Sequence, residues 1–280
     1  MPAPDTTPVQ TRSIALHHLM FLGEAGRPMV FCHGFGMDQT LWRHLAPRYA
    51  DRHRVVLMDH VGSGASDTAA YRRDRYTTLE GYIQDVLSVL EAFDLREVVF
   101  VGHSVSAMVG LEASLRAPER FHSLIMLGAS PRYLVDEDYP GGLTGRDVED
   151  LLTGFDLNRE AWADQMARQA AANPGRPELA QEVKRAFLAA EPSILRQFAR
   201  TTFAVDVRSD LGACRHPVLL LQSREDPIVP VAVSEYLKEA IPGARLHFLE
   251  TSGHFAQLSA PDEVGQAMDL FLDRLERRHD

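Results

Sequence analysis

The run Val98-Val99-Phe100-Val101-Gly102-His103-Ser104-Val105-Ser106 decides how this chain folds. Its first four residues are apolar and largely β-branched, which marks a strand buried on both faces. Over residues 105–115 the apolar side chains recur at spacings of three and four, the period of a helix. Ser104 therefore stands on a sharp strand-to-helix turn. Such a turn strains the backbone, demands small neighbours, and lifts the serine hydroxyl above the sheet edge while the helix aims its first amides at the same spot. Gly102 meets the demand, and Ser106 occupies the place where the pattern G-x-S-x-G has its second glycine, being small enough to fit. A serine that merely caps a helix reads the same way locally, so the rest of the chain must decide.

Working outward, short runs rich in Val, Ile and Leu recur at 29–32, 55–58, 124–127, 218–221 and 246–249, with an amphipathic helical pattern at 79–93 between the second and the serine strand. Strands alternating with helices predict a parallel sheet. Residues 13–22, ending in Gly23, Gly26 and Pro28, are expected to form an antiparallel edge hairpin. The alternation stops after residue 127. Helical patterns near 146–153, 160–172, 178–189 and 193–203 follow, separated by Gly154, Pro174, Pro177 and Pro192 as breakers. The expected organisation is an α/β core at 1–130 and 211–280 with an inserted four-helix cap at 131–210.

The bulk numbers exclude several classes. Hydrophobic residues make up 45% and charged residues 24%, so the 280-residue chain can bury a sizeable core and is not a disordered segment. A net charge of −10 repels nucleic acid, and the short run Arg72, Arg73, Arg75, broken by Asp74, fits a solvated loop. Cys32 and Cys214 lie in or beside apolar runs and read as small core residues, not as a disulfide framework. The polar, proline-containing stretch 1–13 has no secretory pattern, and nothing approaches about 18 uninterrupted apolar residues. The expectation is a cytoplasmic protein without a membrane span.

A serine hydroxyl needs a base, and the base a carboxylate, following the serine in the order acid, then histidine. After the strand at 218–221 comes Gln222-Ser223-Arg224-Glu225-Asp226-Pro227, where Asp226 is the candidate acid and Glu225 its local competitor. Gly128-Ala129-Ser130-Pro131-Arg132, after the preceding strand, offers no acid. Thr251-Ser252-Gly253-His254 follows the last strand, which singles out His254 among 12 histidines as the base. The oxyanion formed on attack needs two amide donors. Val105, just past the serine, supplies one, and Phe35 in the turn His33-Gly34-Phe35-Gly36 is the candidate for the other. A phosphate cradle there is disfavoured, because neither G-x-G-x-x-G nor a Walker lysine is present, and Gly62-Ser63-Gly64-Ala65-Ser66 reads as a supporting turn. His103 is placed to point away from the serine hydroxyl and to take a pocket role at most. No metal-ligand spacing is found and no cofactor is expected.

With these residues placed, the chain resembles the α/β-hydrolase superfamily over nearly its whole length. His33-Gly34-Phe35-Gly36-Met37-Asp38-Gln39, Trp42, Gly102-His103-Ser104-Val105-Ser106-Ala107-Met108, Gly128-Ala129-Ser130-Pro131-Arg132-Tyr133-Leu134, Asp136-Glu137-Asp138-Tyr139 and Gly141-Gly142 are similar to the group containing the bacterial stress regulator RsbQ and the plant strigolactone and karrikin receptors. In that group the last elbow position is commonly serine or glycine. The resemblance implies a V of four cap helices over an apolar pocket lined by Phe35, Trp162 and Phe203, with Met166 where the group often has an aromatic residue. Ordinary core packing is the plain alternative for each. The group usually has a second histidine at the position of Gln257. The implied function is hydrolysis of a small apolar ester or butenolide-like lactone. The alternative is a ligand-sensing regulator whose cap binds a protein partner and in which hydrolysis is slow. A carboxylate nucleophile, as dehalogenation on this fold requires, is absent from the elbow.

Overall fold

The computed structural model describes residues 6–277, so residues 1–5 and 278–280 of the expected core lie outside the described residues. Seven strands form one sheet in the order β1-β3-β2-β4-β5-β6-β7. They are β1 (Met20–Leu22), β2 (Arg27–Cys32), β3 (His53–Met58), β4 (Val98–His103), β5 (Phe121–Leu127), β6 (Val218–Glu225) and β7 (Arg245–Ser252). Only β1 runs antiparallel, and it pairs with β3. Every residue of β4 and β5 is buried, as a strand covered on both faces requires.

The sheet's connectivity creates the crevice that the site uses. The chain steps from β2 to β3 in one direction, then crosses back past β2 to β4 and continues to β7. Right-handed crossovers in opposite senses lie on opposite faces. Thus α2 (Glu80–Ala92), α3 (Val105–Arg116) and α8 (Val231–Ala240) share one face, while the two short helical turns Gln39–Trp42 and Ala46–Tyr49 take the other. There they meet α10 (Pro261–Glu276), through the Tyr49 hydroxyl donating to the Gly265 carbonyl at 3.2 Å and through Arg48 and Arg52 on Asp269. The loops leaving β2 and β4 diverge at this switch point, and open α/β sheets bind ligands in that gap.

Two expectations are corrected. Residues 13–22 do not form a hairpin, because α1 (Pro8–His17) occupies the first half. Thr7 caps it, accepting from the Gln10 amide at 3.3 Å while the Gln10 side chain accepts from the Thr7 amide at 2.9 Å, and Pro8 opens the first turn. His18 then turns the chain at φ 44°, leaving only β1 to extend the sheet. Gly154 does not end a helix either. It lies inside α4 (Gly145–Leu157), where an added Cβ would meet only the Trp162 ring, at an ordinary contact distance of 3.7 Å.

Between β5 and β6 the chain forms α4, α5 (Arg159–Ala171), α6 (Pro177–Ala189) and α7 (Pro192–Phe203). These helices dock on the loops at the carboxyl end of the sheet. The His254 amide donates to the Ala170 carbonyl at 2.7 Å, and the Asn173 side chain donates to the Ser252 carbonyl at 2.7 Å. Phe187, Phe198 and Phe203 surround the Phe35 ring with centroids 5.7, 5.8 and 6.0 Å away. Burying each such ring is worth roughly 1.5–3 kcal/mol, so this cluster binds the inserted helices to the loop after β2. No helix among the described residues is long and apolar enough to cross a membrane.

Candidate active site

Ser104 closes β4 and precedes α3 with φ 57° and ψ −126°, a conformation that side-chain-bearing residues rarely adopt. Its amide is held by the Leu127 carbonyl at 2.8 Å. The turn is tight enough that a Cβ on Gly102 would come within 2.6 Å of the Ser106 carbonyl oxygen and 2.7 Å of the Ala107 nitrogen. Glycine is therefore required there.

The structure brings Ser104, His254 and Asp226 into one line. His254 Nε2 lies 2.9 Å from Ser104 Oγ, and His254 Nδ1 lies 2.8 Å from Asp226 Oδ2. The Asp226 side chain is 1% exposed, and its other oxygen accepts from the Ile228 and Val229 amides at 2.8 and 3.0 Å. Burial alone would raise this carboxyl's pKa, but the facing imidazole and the two amides outweigh it and hold the pKa below the ordinary aspartate value. An ionised Asp226 can only accept, so the imidazole carries its proton on Nδ1 and presents a bare Nε2 to the serine hydroxyl. Glu225 faces away and accepts from the Ser252 hydroxyl at 2.9 Å.

His103 projects beside His254, their rings 4.7 Å apart, and its Nε2 donates to the His254 carbonyl at 2.9 Å. Burial, helped by the nearby His254, pushes its pKa down to about 3, so it stays neutral while fixing the backbone of the histidine loop. The Phe35 and Val105 amides, expected as oxyanion donors, take no part in the loop, turn and cap hydrogen bonds among the described residues. Gly34 lets the first of them approach, since a Cβ there would lie 3.0 Å from the Ser104 Cβ.

A small cavity of about 30 Å³ opens onto Ser104 and His254, lined also by Phe35, His103, Tyr133, Met166 and Phe203. A single water needs about 10–15 Å³, so the space immediately beside Ser104 is narrow and suits only a small group. Trp162 is not part of it. Its ring is wedged between Phe155 and Phe187 at 4.9 and 5.2 Å and faces an outer groove of about 510 Å³ between α4 and α5. That groove shares Met166, Phe203 and Ile228 with the inner cavity. Gln257 is fully buried in the short helix Ala256–Ser259 and lines neither space. A further groove of about 670 Å³ lies between the 36–40 and 62–65 loops and the junction of α6 with α7, and touches none of the three aligned residues. Among the described residues no group of three or more His, Cys, Asp or Glu is placed to hold a metal ion.

Tyr133 is the neighbour that sequence reading did not single out. Its hydroxyl lies 2.9 Å from Ser104 Oγ, in the loop that follows β5, and its ring packs against Phe203 of α7 at 5.6 Å. Burial raises its pKa above the ordinary tyrosine value, so it remains a donor. The serine proton is directed to His254, and Tyr133 supplies the second bond to the oxygen. Tyr133→Phe is expected to let Oγ rotate off the histidine line and lower kcat about 3- to 10-fold, the worth of one neutral hydrogen bond, with KM little changed. Steady-state kinetics on a nitrophenyl ester check this.

The family model described as alpha/beta hydrolase fold matches residues 27–261, and the chain belongs to that family of hydrolases. It is 37% identical over 254 residues to the strigolactone esterase D14 of Arabidopsis thaliana, covering 90% of this chain and 95% of that one. It is 38% identical over 249 residues to the karrikin insensitive 2 receptor CA of Petunia hybrida, covering 89% and 92%. A solved hydrolase from Oleispira antarctica superposes with TM-score 0.92 at 30% identity, covering 96% of this chain and 99% of the other.

Proposed function

We propose that this chain hydrolyses small, mostly apolar carboxylic esters or lactones, with Ser104 as nucleophile, His254 as general base and acid, and Asp226 as its orienting carboxylate. The observation that carries the reading is the unbroken hydrogen-bonded line from Asp226 through His254 to Ser104 at the sheet's switch point. Ser104 Oγ attacks the carbonyl carbon while His254 Nε2 takes its proton, and Asp226 stabilises the imidazolium. The negative oxygen accepts from the Phe35 and Val105 amides. The C–O bond to the alcohol then breaks and His254 returns the proton to the leaving oxygen, which in a lactone stays tethered to the acyl chain. Water then attacks the acyl-serine as His254 takes its proton, the C–Oγ bond breaks, His254 returns the proton to Ser104 Oγ, and the acid is released.

The narrow apolar cavity supports a small acyl or ring group beside Ser104, with the rest of the substrate in the outer groove. Purified protein is expected to release nitrophenol from nitrophenyl acetate and to open a simple butenolide faster than buffer. Folded protein that leaves every ester and lactone in such a panel intact would overturn the proposal.

A second reading is supported by the receptor among the relatives. Here the same site reports its ligand to a regulatory protein that binds the exposed faces of the four inserted helices, and turnover is far below the usual range of about 1 s⁻¹ or more. Fast turnover without any ligand-induced thermal shift would remove it.

A further inference from the structure

A directional hydrogen-bond relay lies behind the loop that carries Phe35. Ser106 is completely buried, and its hydroxyl touches two groups: the His33 carbonyl, which can only accept, and His60 Nε2 at 2.7 Å. The single serine proton therefore goes to His33, and His60 must donate from Nε2. Its Nδ1 is then bare, in keeping with its burial without a hydrogen-bond partner. The His60 amide in turn donates to His33 Nε2 at 3.1 Å, which places the His33 proton on Nδ1, donating to the Gly34 carbonyl at 2.8 Å. His33 and His60 are also packed ring to ring at 4.8 Å, and Phe198 of α7 closes over His60 at 5.8 Å.

The consequence follows from peptide geometry. The Gly34 carbonyl and the Phe35 N–H belong to one planar trans peptide and point in opposite directions. Pinning that oxygen fixes the direction of the amide, and the neighbouring His33 carbonyl is pinned by Ser106. We propose that Ser106 and His60 are positioning residues that hold the Phe35 amide in its oxyanion-binding orientation, which explains why the elbow carries a hydroxyl at the place where the general pattern has glycine. The proposal rests on the serine-hydrolase reading above. Neither side chain touches substrate; both act through the His33-Gly34-Phe35 backbone.

The test uses wild type, Ser104→Ala, Ser106→Ala, His60→Phe and His60→Gln, the last retaining an N–H donor. Hydrolysis of nitrophenyl acetate is measured together with affinity for a trifluoromethyl ketone, whose adduct with serine carries an oxyanion, and for the carboxylate product, which does not. Loss of one oxyanion donor outright costs about 10²- to 10³-fold, so a misaimed one should cost about 10- to 100-fold. Ser106→Ala and His60→Phe should lower kcat by that factor with KM nearly constant, and weaken the ketone equally while leaving product affinity unchanged. His60→Gln should recover most of the loss. Ser106→Ala retaining kcat within twofold, or losing kcat with no loss of ketone affinity, overturns the proposal while leaving the hydrolase reading intact. Ser104→Ala as active as wild type overturns both.

Discussion

Ser104→Ala is expected to lower kcat for nitrophenyl acetate by about 10⁴-fold or more, with the unfolding midpoint almost unchanged. The oxygen removed is the one that both His254 and Tyr133 address, at 2.9 Å each, and among the described residues no other hydroxyl is hydrogen-bonded to the His254 imidazole. Without it the base has nothing to activate but water, and only the amide donors and binding remain to accelerate the reaction. The fold should survive because the backbone at this turn is held by the Leu127 carbonyl and the small Gly102, neither of which depends on the hydroxyl. Stopped or steady-state assays with thermal unfolding of both proteins check the prediction.

Asp226→Asn should cost nearly as much, about 10⁴-fold in kcat, although it changes one atom. Two backbone amides donate to Oδ1, so an asparagine must keep its oxygen there. Its amide nitrogen then falls at the Oδ2 position facing His254 Nδ1. A donor in that place forces the imidazole proton onto Nε2, the atom that must accept from Ser104. Stability gives an independent readout. The Asp226 carboxyl has its pKa depressed in the folded protein, so its stabilising contribution is present above the ordinary aspartate value of 3.8 and is lost as pH falls through the depressed value. The unfolding midpoints of wild type and Asp226→Asn should accordingly differ most near neutrality and converge in acid.

The strands were legible because a strand buried on both faces must be a short apolar run, and residues 29–32, 98–101 and 124–127 have no other use for that pattern. Ser104, Asp226 and His254 were singled out because each follows a short apolar run at its carboxyl end, where this topology gathers its loops, although the run before His254 proves to be the edge strand β7, buried only at Leu249. The N-terminal helix was not legible: its apolar residues are sparse, and a capping box at Thr7 and Gln10 fixes it in place of a hydrophobic stripe. Gly154 misled because one glycine inside a helix costs only about 1 kcal/mol relative to alanine, which the packing of the rest of α4 outweighs. Tyr133 and the Ser106–His60 contact escaped because they are meetings of side chains distant in the chain, which no local period records. The displacement of Trp162 from the inner cavity to the outer groove likewise depends on how α5 packs against α4 and α6.

The proposed chemistry depends on one reactive hydroxyl, and covalent labelling reads it directly. After incubation of the folded protein with a fluorophosphonate, intact mass should show a single adduct, and peptide mapping should place it on Ser104, with labelling strongly slowed in His254→Ala. A folded protein that takes no label, or takes it on another residue while Ser104 stays free, would contradict the claim that Ser104 is the nucleophile.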